Sequence, residues 1–128
     1  VEPWQEAWRR IAPKLPRAGL RRLLKALRED DPRLIQGEVA EVRDGCQHGC
    51  AISWGAMPDR EMTPEEWAKE ADDQFHRLES GILADWVALG CVGPTVDTFT
   101  RFFDSGDRQA VFAALAAEIE LGLAGEEE

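Results

Sequence analysis

Three features of the sequence predict a mainly α (α+β) fold, one compact domain of about five to six helices with a small β-hairpin near residues 38–56. Apolar residues recur at helical spacing over most of the chain, period two replaces that spacing only between Glu38 and Ala56, and proline, glycine and aspartate mark the boundaries. At 128 residues, 44% of them hydrophobic, the chain is long enough to bury a core without metal or disulfides, so 1–128 is expected to be a single domain.

The opening helix is expected over Glu2 to Ile11, where Trp4, Ala7, Trp8 and Ile11 share a face, and Pro13 and Pro16 end it. A second helix from about Ala18 to Glu29 carries Leu20, Leu23, Leu24 and Leu27 on one stripe, with Arg21, Arg22, Lys25 and Arg28 turned away. Asp30, Asp31 and Pro32 stop it, and Asp31 can cap a short turn that closes at Gly37.

From Glu38 to Ala56 the alternation changes. Val39, Glu41 and Arg43 alternate with Ala40 and Val42, and Cys50, Ile52 and Trp54 with Ala51 and Ser53, which reads as a hairpin turning between Asp44 and Gly49. Thr63, Pro64 and Glu66 then form the strongest local signal in the chain: an N-cap, a first-turn proline and a capping-box acid. That helix is expected to run to about Ser80 with Trp67, Ala71, Phe75 and Leu78 inward. Gly81 should divide it from a shorter helix, Ile82 to Leu89. Two more follow, Thr95 to Phe103 and Asp107 to Leu123, the last burying Val111, Phe112, Leu115 and Ile119.

Charge is distributed unevenly. The formal net charge is −10, yet eight cations and no anion lie between Arg9 and Arg28, giving a basic helical segment at 1–30, an acidic helical region at 63–123 and an acidic tail at 124–128. Such a surface suits an acidic protein partner or nucleic acid, or pairing with the chain's own acidic half. The whole-chain charge opposes tight duplex binding. No apolar run reaches the length of a membrane span, no secretory signal is visible, and three cysteines fit a reducing compartment, so the expected location is the cytoplasm, with no membrane contact.

Cys46, His48 and Cys50 place three soft donors in five residues and can supply part of a zinc site, with Cys91 and His76 as distant candidates, although the spacing matches no familiar finger or knuckle. Cys50 on a buried hairpin face would instead be a small apolar residue. Carboxylates and His76 on the third helix fall on its solvent side. No phosphate loop, nucleophile elbow or triad spacing is present, so catalysis is not expected.

The function expected from these features is that of a non-enzymatic protein-interaction module: an accessory, adaptor or inhibitor subunit. Trp4 and Trp8 would anchor the contact beside the basic face of Arg17, Arg21, Arg22, Lys25 and Arg28. The partner would be a protein, one candidate being a basic or nucleic-acid-binding protein whose groove the acidic half could occupy. The alternatives are a nucleic-acid-binding subunit using helix 17–28, and a zinc-binding domain or zinc enzyme using Cys46, His48 and Cys50. No cofactor other than zinc is suggested.

Overall fold

The computed structural model describes residues 1–57, 60–90 and 93–127. Six α-helices and one antiparallel hairpin make up its regular structure: α1 (Pro3–Ile11), α2 (Arg17–Glu29), β1 (Ala40–Arg43), β2 (Cys46–Gly49), α3 (Ala51–Ala56), α4 (Pro64–Leu89), α5 (Val96–Ser105) and α6 (Arg108–Glu127). A single 3-10 turn, Ala12–Lys14, joins α1 to α2. The mainly helical fold expected from periodicity is the one observed.

α1 begins where Pro3 enters its first turn and Gln5 Oε1 accepts the Glu2 amide at 2.8 Å. Its apolar face is fully used. Trp4 is 7% and Trp8 2% exposed, Trp4 stacks on Phe102 of α5 with ring centres 4.0 Å apart, and Trp8 lies 4.9 Å from Phe99. The aromatic row continues through Phe103 to Phe112 of α6, so the first helix closes against the last two. The expectation that Trp4 and Trp8 anchor a partner is therefore corrected: their rings are core, because α5 and α6 cover the face that the isolated helix would expose.

α2 buries Leu20, Leu23 and Leu27 and ends at Asp30, which takes left-handed backbone with φ 51°. Residues 31–37 form the expected short turn, with Asp31 Oδ1 accepting the Arg33 amide at 2.9 Å. Arg33 to Ile35 then lie along the end of β2: Gly49 donates to Arg33 O and accepts from Ile35 N, each at 2.9 Å.

The hairpin is shorter than expected. Asp44 and Gly45 both have positive φ, 51° and 74°, the two-residue turn that matches strand twist, and pair Arg43 with Cys46 and Ala40 with Gly49. Beyond Gly49 the expected second strand is instead helix α3. The alternation of Cys50, Ile52 and Trp54 misled because Ala51, Ile52, Ser53 and Gly55 are all buried, so this short run has no polar face from which a period can be read.

α3 reaches α2 through glycine. A Cβ on Gly19 would stand 2.8 Å from the Gly55 carbonyl carbon and closer still to its oxygen. Across the sheet, a Cβ on Gly49 would stand 2.7 Å from the Trp67 ring carbon Cη2. Both are backbone approaches that only a residue without a side chain permits.

α4 is one helix of 26 residues, about 39 Å long at ordinary helical rise, where two were expected. Thr63 Oγ1 accepts the Glu66 amide at 3.2 Å, as the capping signal implied. Gly81 does not break it, because the inward row Ala71, Phe75, Leu78 and Ile82 runs straight past; the left-handed residue that ends the helix is Gly90, with φ 66°. α6 is held at its start by Arg108, whose guanidinium donates to Asp30 Oδ1 at 2.7 Å, Leu34 O at 2.6 Å and Asp31 O at 2.8 Å and lies over the Phe112 ring. The acidic 124–128 segment is helical as far as Glu127. Among the described residues no helix is long and apolar enough to cross a membrane.

Two stability outcomes follow from this packing. Gly19→Ala should lose about 3 kcal/mol or more in urea denaturation, since rigid backbone cannot yield, whereas Gly81→Ala, in open space on a helix, should gain about 0.5–1 kcal/mol. Trp8→Ala should cost about 3–5 kcal/mol in the same assay; an unchanged midpoint would return Trp8 to the surface.

Candidate functional site

The basic residues of α2 do not behave alike. Arg17, Arg21, Lys25 and Arg28 are exposed and Arg22 is partly buried. Arg28 is paired with Glu120 of α6, and on α1 Arg9 Nε meets the buried Glu118 at 2.7 Å, with Gln5 as a second donor to that carboxylate. Part of the acidic half thus comes back onto the basic half, one of the arrangements expected from the charge map. Arg22 donates to two carbonyls at the end of α3, Trp54 O at 3.4 Å and Met57 O. In doing so it satisfies the helix terminus that the Gly19 to Gly55 approach places beside it.

That arrangement opens a cleft of about 280 Å³ between α2, α3, the 31–37 turn, β2 and α4. Arg22, Lys25 and Arg33 bring positive charge to it, Trp54 and Trp67 bring indole surface, and Gln47 adds an amide. Each indole is fixed. Trp54 Nε1 donates to Arg33 O at 3.3 Å and the Arg33 guanidinium stands 5.5 Å over its ring, while Trp67 lies across Gly49 at the end of β2. Two carboxylates, Glu29 and Asp31, also line the cleft.

Asp31 is already engaged. Arg33 Nη2 meets its Oδ2 at 2.9 Å, and this hydrogen bond, with a further bond from the Arg33 amide and the fields of Arg33 and Arg108, holds the Asp31 carboxyl below the ordinary carboxylate range against the opposing effect of burial. The Arg33 guanidinium is correspondingly raised. Lys25 has no ion-pair partner among the described residues. The cleft therefore presents an excess of cations beside two indoles in a chain that is strongly acidic as a whole.

The Cys46, His48 and Cys50 group is not assembled. Cys46 is exposed on β2, and His48 Nδ1 lies 3.0 Å from the Cys46 carbonyl. Cys50 turns into the core beside Ser53 Oγ at 3.4 Å, and burial pushes its thiol above the ordinary range. Among the described residues no three His, Cys, Asp or Glu side chains converge on one point. Cys91, the distant candidate, lies outside the described residues. On α4, Asp72, Asp73 and His76 face solvent, with His76 Nε2 3.6 Å from Asp72.

Sequence reasoning thus located two cleft residues, Arg22 and Lys25, and missed Arg33, Gln47, Trp54 and Trp67. Trp54 and Trp67 stand in patterns that read as a strand and as an inward helix face, and composition, five Trp and no Tyr, is the one hint that some of them serve a surface. No family model matches this chain, nor does any curated protein or solved structure.

The Asp31 to Arg33 pair sets a pH dependence. Because the folded carboxyl is depressed, its contribution to stability is complete above the unfolded value and is lost as pH falls through the folded one. In Arg33→Gln, the NMR titration of Asp31 should move up toward an ordinary aspartate and the acid limb of the stability profile should flatten; an unmoved titration would assign the shift to another group.

Proposed function

We propose that the protein is a non-enzymatic protein-interaction module that receives an acidic segment of a partner in the cleft between α2, α3 and α4. The observation that carries this reading is the joint presence of Arg22, Lys25 and Arg33 with Trp54 and Trp67 around one opening. Arginine and tryptophan are the side chains most often found where binding energy concentrates, and here both types are already held in place by backbone carbonyls and by each other. Prior ordering lowers the entropy lost when a partner docks.

The approach to the cleft has the same sign. Lys25 stands exposed on α2 at the edge of the opening, so the helix face beside the cleft is positive. An acidic segment entering there would meet Lys25 and then the indoles. A nucleic-acid duplex would spread its phosphates over the acidic surface of α4 and α6 as well, where repulsion opposes it. The exposed Cys46 and buried Cys50 thiols suit a reducing compartment, and we place the protein in the cytoplasm on that ground.

The test is fluorescence anisotropy with a labelled decapeptide of Glu and Asp containing one Leu, read at low and at moderate salt, with a labelled single-stranded oligonucleotide of equal length as competitor. Lys25→Glu should weaken the peptide about tenfold, and Trp67→Leu should weaken it without changing the salt slope. Peptide binding that survives Lys25→Glu unchanged would overturn the proposal, as would a clear preference for the oligonucleotide.

A further inference from the structure

A second cavity, of about 260 Å³, opens between the 37–39 segment, α3, α4 and α5. Its floor is apolar, with Val39, Phe75, Phe99 and Phe103 contributing. Its rim is acidic. Glu38, Glu79, Asp97 and Asp104 stand around the mouth from three separate stretches of chain, all exposed, and no lining residue among those described is basic. Asp97 is paired with Arg101 one turn along α5 at 2.9 Å, and Asp104 accepts the Gly37 amide at 2.8 Å. Glu38 and Glu79 have no ion-pair partner among the described residues.

We propose that this cavity binds a small organic cation, an ammonium carried on an apolar body. The division of the cavity dictates the ligand class. An apolar body is driven onto the Val39 and phenylalanine surface, and an ammonium left at the mouth meets unmatched carboxylates. An anion would be repelled, and a neutral apolar molecule would leave the rim carboxylates without a counter-charge beside a mouth it had partly dried. The volume is at the small end of ligand cavities and admits a body of about ten heavy atoms rather than a folded peptide. Cys50, which also lines the floor, stays a neutral thiol because burial disfavours its charged form, so it leaves the floor apolar. The site lies on the opposite side of α3 from the cleft, since Ile52 faces one opening and Trp54 the other.

The experiment is a titration of the full chain with 2-phenylethylammonium, followed by amide chemical shifts, beside the neutral isostere 2-phenylethanol and the anion phenylacetate. Saturable shifts should centre on Val39, Phe75 and Thr100, the alcohol should bind at least about tenfold more weakly, and phenylacetate should not bind. Glu38→Gln combined with Glu79→Gln should weaken the amine about tenfold; both residues are exposed, so the variant folds, which circular dichroism checks. Equal binding of the alcohol, an affinity unchanged in the double variant, shifts centred elsewhere, or no saturable binding would each overturn the proposal.

Discussion

The near-contact of Gly19 with Gly55 is the constraint from which the cleft follows. α3 has only six residues and cannot be stable as an isolated turn of helix; it exists because it lies against α2 at backbone distance, with Leu15 and Leu23 closing around it. Bringing the two backbones that close puts the end of α3 within reach of Arg22 and turns Trp54 toward Arg33. The cleft is then the space left between a helix that had to come close and a hairpin that could not follow it. Gly49 plays the matching role on the far wall by letting the Trp67 ring lie on the strand end.

Electrostatics knit the same layers together after packing has set their distances. The segregation of charge along the sequence is undone in space by Arg9 with Glu118, Arg28 with Glu120 and Arg108 with Asp30, each joining an early residue to α6. The Arg28 and Arg108 pairs are exposed or half-exposed and individually modest, worth about 0–1 kcal/mol apiece, whereas the Glu118 carboxylate is buried and depends on Arg9 and Gln5 to satisfy it. The larger effect of the Glu118 and Glu120 pairs is to bring acidic side chains of α6 onto the α1 and α2 side of the molecule, while Lys25 at the cleft and Glu38 and Glu79 at the second cavity keep no ion-pair partner among the described residues.

What could be read from the sequence was what depends on neighbours along the chain. The inward faces of α1 and α2, the Thr63 cap and the start of α6 at Asp107 are local signals, and all are present. α3 was illegible because every one of its positions but Trp54 and Ala56 is buried, so no amphipathic period survives. Gly81 was misread because this glycine keeps helical backbone, and the glycine whose backbone turns left-handed is Gly90. Trp4 and Trp8 looked exposed because their partner rings, Phe99 and Phe102, lie far away in sequence. The cleft suffers the same difficulty in stronger form: its side chains come from five segments, and of them the sequence patterns mark only Arg22 and Lys25 as binding residues and Trp54 and Trp67 as packing ones.

The stacking of Trp4 on Phe102 also bears on how the molecule is made. α1 leaves the ribosome before α5, so until α5 emerges the Trp4 and Trp8 rings lack the Phe102 and Phe99 rings that cover them. α2, α3 and the hairpin can gather early around local contacts, but the growing polypeptide keeps one greasy helix in hand until α5 has followed. Until then that stripe is an exposed apolar surface of the kind that makes incomplete chains prone to associate.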